Sequence, residues 1–155
     1  MTCRSPLSFF VLLLIINFAA TPALAHESRY PALVLVTAGA QPVKRLSPTQ
    51  FRKLFLNLPV VSGKQQLVPL IYTSDRFLYE IFLQKVIYMS ERNYERMLVS
   101  KTFRTGRPRP GKFSSREKLV KALLSTPGSI SFMWRDTAEK EKQLRIIQTL
   151  WEEKH

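Results

Sequence analysis

Two kinds of apolar segment alternate along this chain, and their alternation limits the fold more than any other feature of the sequence. Residues 32–37 (ALVLVT) form a continuous, β-branched apolar run, which predicts a buried strand. The next segment begins at Ser47-Pro48 and repeats apolar residues every three or four positions. This spacing predicts a helix with Ser47 as N-cap and Pro48 in its first turn. Alternating strands and helices predict an α/β fold, with a mixed sheet flanked by helices.

The alternation continues towards the C-terminus. We expect further strands at 67–72, 129–134 and 144–149, and a short helix at 136–142. In the first of these strands Pro69 lacks an N–H donor, which indicates either an edge position or an irregular start. Other helices are expected after Thr73-Ser74-Asp75, after Ser90 and after Ser114, where Glu117 completes a capping box. The apolar helix positions expected in the core are Phe51, Leu54, Phe55, Leu58, Phe77, Leu78, Ile81, Phe82, Val86, Tyr94, Met97, Leu98, Leu119, Val120, Leu123 and Leu124.

The first 25 residues have the layout of a secretory signal peptide. Arg4 provides a positive start, an apolar stretch follows to Ala20, and Ala23-Leu24-Ala25 supplies small residues for cleavage. The alternative is an uncleaved membrane anchor, but the apolar stretch is short for a span of ~20 residues. We therefore expect a signal peptide at 1–25 and a single periplasmic or secreted domain at 26–155, of ordinary size for one core.

The composition of residues 26–155 argues against an enzyme. This segment contains no cysteine, and its two histidines are terminal, so Cys/His nucleophilic sites and most zinc sites are excluded. A copper site at His26 is the one metal alternative considered, and it lacks a second imidazole. We therefore predict no metal and no cofactor. All basic residues except Arg4 lie here, together with every acidic residue, which leaves a formal charge of +12.

The order of several motifs resembles a known family. LSPTQFRKLFL at 46–56, VPLIYTSD at 68–75 and SSREKLVKALLSTPGSISFM at 114–133 are similar to segments of the substrate-binding proteins of phosphate ABC transporters, and more closely of their short, single-domain relatives. The resemblance implies a reduced type-2 periplasmic-binding-protein-like domain. It also implies a small anion such as phosphate as ligand, and a membrane transporter or sensor protein as partner.

The resemblance points to a helix start as the anion site. Phosphate binders carry Ser-Gly-Thr where this chain has Thr73-Ser74-Asp75, so Thr73, Ser74 and the following Arg76 are the implied ligands. A helix N-terminus holds anions with free N–H groups. The alternative is that Ser74 or Asp75 simply caps the helix, and Asp75 would repel an anion. A second candidate, Ser114-Ser115, has the same ambiguity.

A cluster of cations suggests a second function. Gly and Pro residues predict an irregular loop over 101–112, which would crowd five positive charges together. Such crowding indicates a polyanionic surface or an acidic partner, although a solvated surface is the alternative. Nucleic acid is not expected, because the segment lacks interleaved aromatics and the compartment is extracytoplasmic. We expect a monomer. The five cations are Lys101, Arg104, Arg107, Arg109 and Lys112.

Overall fold

The computed structural model describes residues 32–39 and 43–153, so the predicted signal peptide lies outside the described residues. Within these ranges strands and helices alternate, as the sequence indicates. The strands are β1 (Ala32–Thr37), β2 (Val61–Ser62), β3 (Gln65–Gln66), β4 (Val68–Tyr72), β5 (Gly111–Phe113), β6 (Ser129–Trp134) and β7 (Arg145–Glu152). The helices are α1 (Pro48–Phe55), α2 (Arg76–Ile81), α3 (Glu91–Thr105), α4 (Arg116–Ser125) and α5 (Arg135–Lys140), and α2 continues directly into a π-helix over Phe82–Ile87.

Five of the strands form one mixed sheet in the order β5-β4-β6-β1-β7. The strands β5, β4 and β6 run parallel, whereas β1 is antiparallel to both β6 and β7. β4 is therefore an interior strand, and the edge position considered for Pro69 is wrong. Pro69 lies at the start of β4, next to β6, while the later residues of β4 pair with β5.

The beginnings and the ends of the three parallel strands define two further edges of the sheet, distinct from its edge strands β5 and β7. We call the edge where β4, β5 and β6 end the C-terminal edge, and the edge where they begin the N-terminal edge. The predicted anion residues Thr73, Ser74, Ser114 and Ser115 follow β4 and β5, so they lie at the C-terminal edge. The segment 106–110 immediately precedes β5 and lies at the N-terminal edge. The two predicted sites are therefore at opposite ends of the same strands.

Aromatic packing joins α1, α2 and α3 to one face of the sheet. The ring of Phe82 stacks on Phe132 of β6, with centroids 3.8 Å apart, and Phe55 of α1 meets both rings edge-on. Tyr94 of α3 donates its hydroxyl to the carbonyl of Phe55 at 2.6 Å, which satisfies a group left open at the end of α1. Burial and the nearby charge of Glu95 raise the pKa of both Tyr79 and Tyr94.

The second face of the sheet carries α4. Neighbouring residues of a strand point to opposite faces, and the hydroxyl of Ser129 in β6 donates to the carbonyl of Leu123 in α4. Phe132 points the other way, towards α1 and α2. Among the described residues, no helix is long and apolar enough to cross a membrane.

Two predicted core residues are exposed instead. Phe77 is 57% exposed and Leu124 is 50% exposed. In α2 the cap at Asp75 sets the helix so that Leu78 and Tyr79 are buried, which turns Phe77 outward against Trp134. α1 also ends at Phe55, three residues before the predicted Leu58, because the chain turns through a left-handed Asn57.

Candidate functional sites at the two edges of the sheet

The C-terminal edge brings the ends of β4 and β5 together. Both the amide and the hydroxyl of Thr73 donate to the carbonyl of Phe113, at 2.9 and 3.2 Å. Thr73-Ser74 therefore lies beside Ser114, so the predicted residues that follow the two strands are neighbours. The hydroxyl of Thr73 is therefore already hydrogen-bonded to the backbone, whereas the side chain of Ser74 is exposed.

Asp75 occupies the N-terminus of α2. Its Oδ1 accepts a hydrogen bond from the amide of Leu78 at 3.0 Å, which makes Asp75 the N-cap. Its Oδ2 accepts from the indole Nε1 of Trp134 at 2.8 Å. The carboxylate is thus held by two donors at the position where the helix N-terminus would attract an external anion. Its negative charge opposes a second anion there.

Arg76 is directed along its own helix rather than towards Thr73. Its Nε lies 2.8 Å from Oε1 of Glu80, one turn later, and its Nη2 lies 4.0 Å from Glu91. The hydrogen bond and charge of Glu80, followed by the charge of Glu91, raise the pKa of Arg76. The side chain is 78% exposed. Two carboxylates therefore already compensate this cation.

Ser115, rather than Ser114, caps α4. The hydroxyl of Ser115 accepts from the amide of Lys118 at 3.5 Å and donates to Oε2 of Glu117 at 2.5 Å. The capping box predicted from Ser114 and Glu117 is therefore wrong by one residue, because the backbone stays extended through Ser115 (φ −136°, ψ 136°). The Ser115 hydrogen bond lowers the pKa of Glu117.

Three helices begin with arginine at the C-terminal edge, a feature that the sequence analysis missed. Besides Arg76 these are Arg116 and Arg135, the first residues of α4 and α5. Arg116 lies 3.2 Å from Glu141, and Arg135 donates from Nη2 to the hydroxyl of Thr149 at 2.7 Å. Each arginine thus has a partner within the chain. The spacing of the partners, 25 and 14 residues away, carries no local sequence signal.

The basic segment at the N-terminal edge, residues 101–112, is partly helical. α3 continues to Thr105, so Lys101 and Arg104 lie in its last two turns, and the loop predicted over 101–112 is wrong for these residues. The helix ends only at Gly106, whose φ of 67° is the left-handed conformation that favours glycine. Arg107 and Arg109 lie in the loop, and Lys112 lies in β5.

The loop is fixed to the rest of the domain. The buried side chain of Asn57 donates from Nδ2 to the carbonyls of Arg107 and Pro108, at 3.4 and 3.1 Å. With the side-chain amide of Gln66 in β3 turned so that its oxygen faces Arg107, this oxygen accepts from the Arg107 guanidinium. Asn57 therefore holds the backbone that presents Arg107 and Arg109, and Gln66 contacts the Arg107 side chain.

The cations of the basic segment differ in their compensation. Lys112 pairs with Glu95 of α3 at 2.5 Å. None of the ion pairs formed within 43–153 includes Lys101, Arg104, Arg107 or Arg109. These four residues, which we call the basic patch, present positive charge to solvent. The described part of the chain has no cluster of three or more His, Cys, Asp or Glu side chains suited to a metal.

Comparison with known proteins identifies the fold. Neither a family model nor a curated protein sequence matches this chain. The crystal structure of PstS from Borrelia burgdorferi matches with a TM-score of 0.56 and 16% sequence identity, over 77% of this chain and 47% of that chain. This chain therefore spans about half the length of that PstS chain. The domain has a reduced periplasmic-binding-protein-like fold, as the sequence motifs indicated.

Proposed function

We propose that this protein is an exported binding module, without catalytic activity, whose basic patch binds a polyanionic surface. One observation carries the proposal: the four cations of the patch have no carboxylate partner within 43–153, and Asn57 holds the backbone of the loop that follows α3. The solute-binding fold is its scaffold, in keeping with the likeness to a binding protein.

Electrostatics supports this role. Charges on adjacent turns and on the loop that follows lie within or near the Debye length of ≈ 8 Å at physiological salt, so solvent ions do not isolate them. Like charges held together lower the stability of the folded state slightly. A polyanion would relieve this repulsion and bind without first having to order the loop.

The test is to remove the charges while leaving the structure intact. The variant Arg104→Gln/Arg107→Gln/Arg109→Gln should fold and bind dextran sulfate roughly a hundredfold more weakly at low salt, at about fivefold for each cation, by analogy with the ~1 kcal/mol that a Lys or Arg contributes near an anionic surface. Its affinity should also depend less steeply on salt.

The matched control removes the same charge elsewhere. Lys118, Lys121 and Lys140 are exposed on α4 and α5, away from the basic patch. The variant Lys118→Gln/Lys121→Gln/Lys140→Gln should bind dextran sulfate nearly as wild type does. Equal losses in both triple variants would show that net charge alone drives binding and would contradict the proposal.

A second candidate function is binding of a small anion such as phosphate at the C-terminal edge, in the service of a transporter or sensor. It is favoured by the Thr73–Phe113 contacts, which place Ser74 beside Ser114, and by the fold shared with PstS. Millimolar phosphate should then raise the melting temperature. Ser74→Ala should weaken binding about tenfold, since a hydrogen bond to a charged ligand is worth ~1.5–3 kcal/mol. An unchanged melting temperature in phosphate and in sulfate would exclude this candidate.

A further inference from the structure

The last turns of α3, which carry two residues of the basic patch, also carry the most exposed of the large apolar side chains found among the described residues. Phe103 is 85% exposed, between Lys101 and Arg104 in the last turns of α3. Single exposed apolar residues are common on protein surfaces. A phenyl ring that extends into solvent beside uncompensated cations is a more specific arrangement, because the domain covers little of the ring.

The helical spacing adds another cation to this surface. Arg96 precedes Phe103 by seven residues, or two turns, and both side chains are exposed on the same face of α3. Val99, which is half-buried, and Ser100, which is exposed, lie between them on that face. The exposed face of the C-terminal half of α3 is therefore basic with an apolar end.

The β2–β3 hairpin continues the same pattern across the N-terminal edge. Val61 is 56% exposed and pairs with Gln66, which contacts Arg107 of the basic patch. Ser62 accepts a hydrogen bond from the amide of Lys44 at 3.0 Å. A second exposed apolar side chain is thus linked to the basic patch through Gln66.

We propose that the polyanionic surface is an anionic phospholipid membrane; this inference rests on the proposed function above. Lipid phosphates would attract the cations, while Phe103, assisted by Val61, would enter the apolar boundary beneath the headgroups. A soluble polyanion satisfies only the cations and leaves Phe103 in water. An acidic protein is the other occupant, and the test below separates it from a membrane.

The test compares vesicles with a soluble polyanion. Protein without the predicted signal peptide (residues 26–155) is cosedimented with mixed vesicles of phosphatidylglycerol and phosphatidylcholine, and separately with pure phosphatidylcholine vesicles. Phe103→Ala should weaken binding to the anionic vesicles about tenfold or more, because burying a phenyl ring contributes ~1.5–3 kcal/mol. Its affinity for dextran sulfate should not change, because the charges are intact.

Two further variants control the result. Phe77 is exposed at the opposite edge of the sheet, so Phe77→Ala should bind the anionic vesicles as wild type does. Phe103→Trp should retain vesicle binding. Brominated lipids should quench a larger share of the tryptophan fluorescence in this variant than in wild type, because the added tryptophan would lie in the membrane. Circular dichroism of each variant checks that the fold is preserved.

The outcomes separate this inference from the proposed function. If Phe103→Ala binds anionic vesicles as wild type does, or brominated lipids do not quench Phe103→Trp, the membrane is overturned as partner and an acidic macromolecule takes its place. Binding to pure phosphatidylcholine as strong as to anionic vesicles also overturns it. If the arginine triple variant keeps its affinity for both vesicles and dextran sulfate, the proposed function itself fails.

Discussion

The two edges of the central sheet are built from the same strands but differ in whether their charged side chains have partners within the domain. At the C-terminal edge, Asp75, Arg76, Arg116 and Arg135 each have a partner within the domain. At the N-terminal edge, the basic patch has no carboxylate partner among the described residues, and Phe103 lies exposed beside it. Open α/β sheets usually bind ligands where their parallel strands end. In this domain Asp75, Arg76 and Arg116 at that edge have partners, whereas at the other edge the four cations of the basic patch have no carboxylate partner within 43–153.

The difference shows that a binding fold and a binding site are separate properties. The topology places helix N-termini beside one another at the C-terminal edge. Whether they attract an anion then depends on single side chains, and Asp75 supplies a fixed negative charge there. Three substitutions test how firmly this contrast is built into the structure.

The largest effect is expected at the N-terminal edge, from Gly128→Ala. Gly128 has a φ of +76°, and an added Cβ would lie 2.6 Å from the carbonyl oxygen of Gln66. The left-handed conformation costs ~1–2 kcal/mol and the overlap with backbone ~1–3 kcal/mol. Urea denaturation should therefore show a loss of about 2–5 kcal/mol in the free energy of unfolding.

Gly106 provides the control for Gly128. It has a similar φ of +67°, but no atom lies within 4 Å of its added Cβ. Gly106→Ala should cost only the conformational part, ~1–2 kcal/mol. Equal losses at the two glycines would mean that the β2–β3 hairpin is not packed against the start of β6, and the N-terminal edge would lose one of its supports for Arg107.

An intermediate effect is expected at the C-terminal edge, from Asp75→Asn. Asparagine is as good an N-cap as aspartate, but its single oxygen cannot accept from both Leu78 and Trp134. We expect a loss of ~0.5–1.5 kcal/mol in the free energy of unfolding. If the charge of Asp75 is what excludes anions, this variant should gain a phosphate-dependent rise in melting temperature.

Asp136→Asn is the matched control for that charge. Asp136 is exposed in the first turn of α5, at the same edge of the sheet. It should give no response to phosphate. A response in neither variant would show that Asp75 is not what closes the C-terminal edge, and the contrast between the edges would need another cause.

The smallest effect concerns the cap of α4. Ser115→Ala should cost about 0.5 kcal/mol, because its hydrogen bond from the Lys118 amide is long at 3.5 Å, whereas Ser114→Ala should cost less, because Ser115 makes the cap. The lowered pKa of Glu117 adds a pH dependence. Ionised Glu117 contributes to the free energy of unfolding above its unfolded-state pKa, and this contribution is lost as the pH falls through its lower, folded-state pKa. Thermal unfolding between pH 7 and pH 3 should show that loss in wild type and less of it in Ser115→Ala.

Features that depend on nearby residues could be read from the sequence. The caps at Ser47 and Ser90 bond to amides three residues later, so the serine and the following apolar pattern were sufficient. The prediction placed the cap of α4 at Ser114 because both serines precede the helix, and only the backbone distinguishes them. β6 was predicted with its correct bounds because Pro127-Gly128 ends the preceding segment.

The contacts that decide the character of the sites span long distances in sequence. Trp134 lies 59 residues from Asp75, and Pro108 lies 51 residues from Asn57. No periodicity or spacing links such residues. The sequence therefore indicated where the candidate residues lie, but it could not show that Thr73 and Arg76 have partners while Arg104 and Arg107 have no carboxylate partner in the described ranges.

The position of β1 has a consequence for the time at which this domain can fold. β1 lies between β6 and β7, so its backbone hydrogen bonds are made to residues about a hundred positions later. During synthesis the first strand has no neighbours until 129–134 and 145–152 have emerged. Such non-local pairing folds slowly, and the sheet cannot be completed around β1 until nearly all of the chain has been made. An unfolded chain of this kind can be threaded through a narrow membrane channel, which is the state that the predicted export would require.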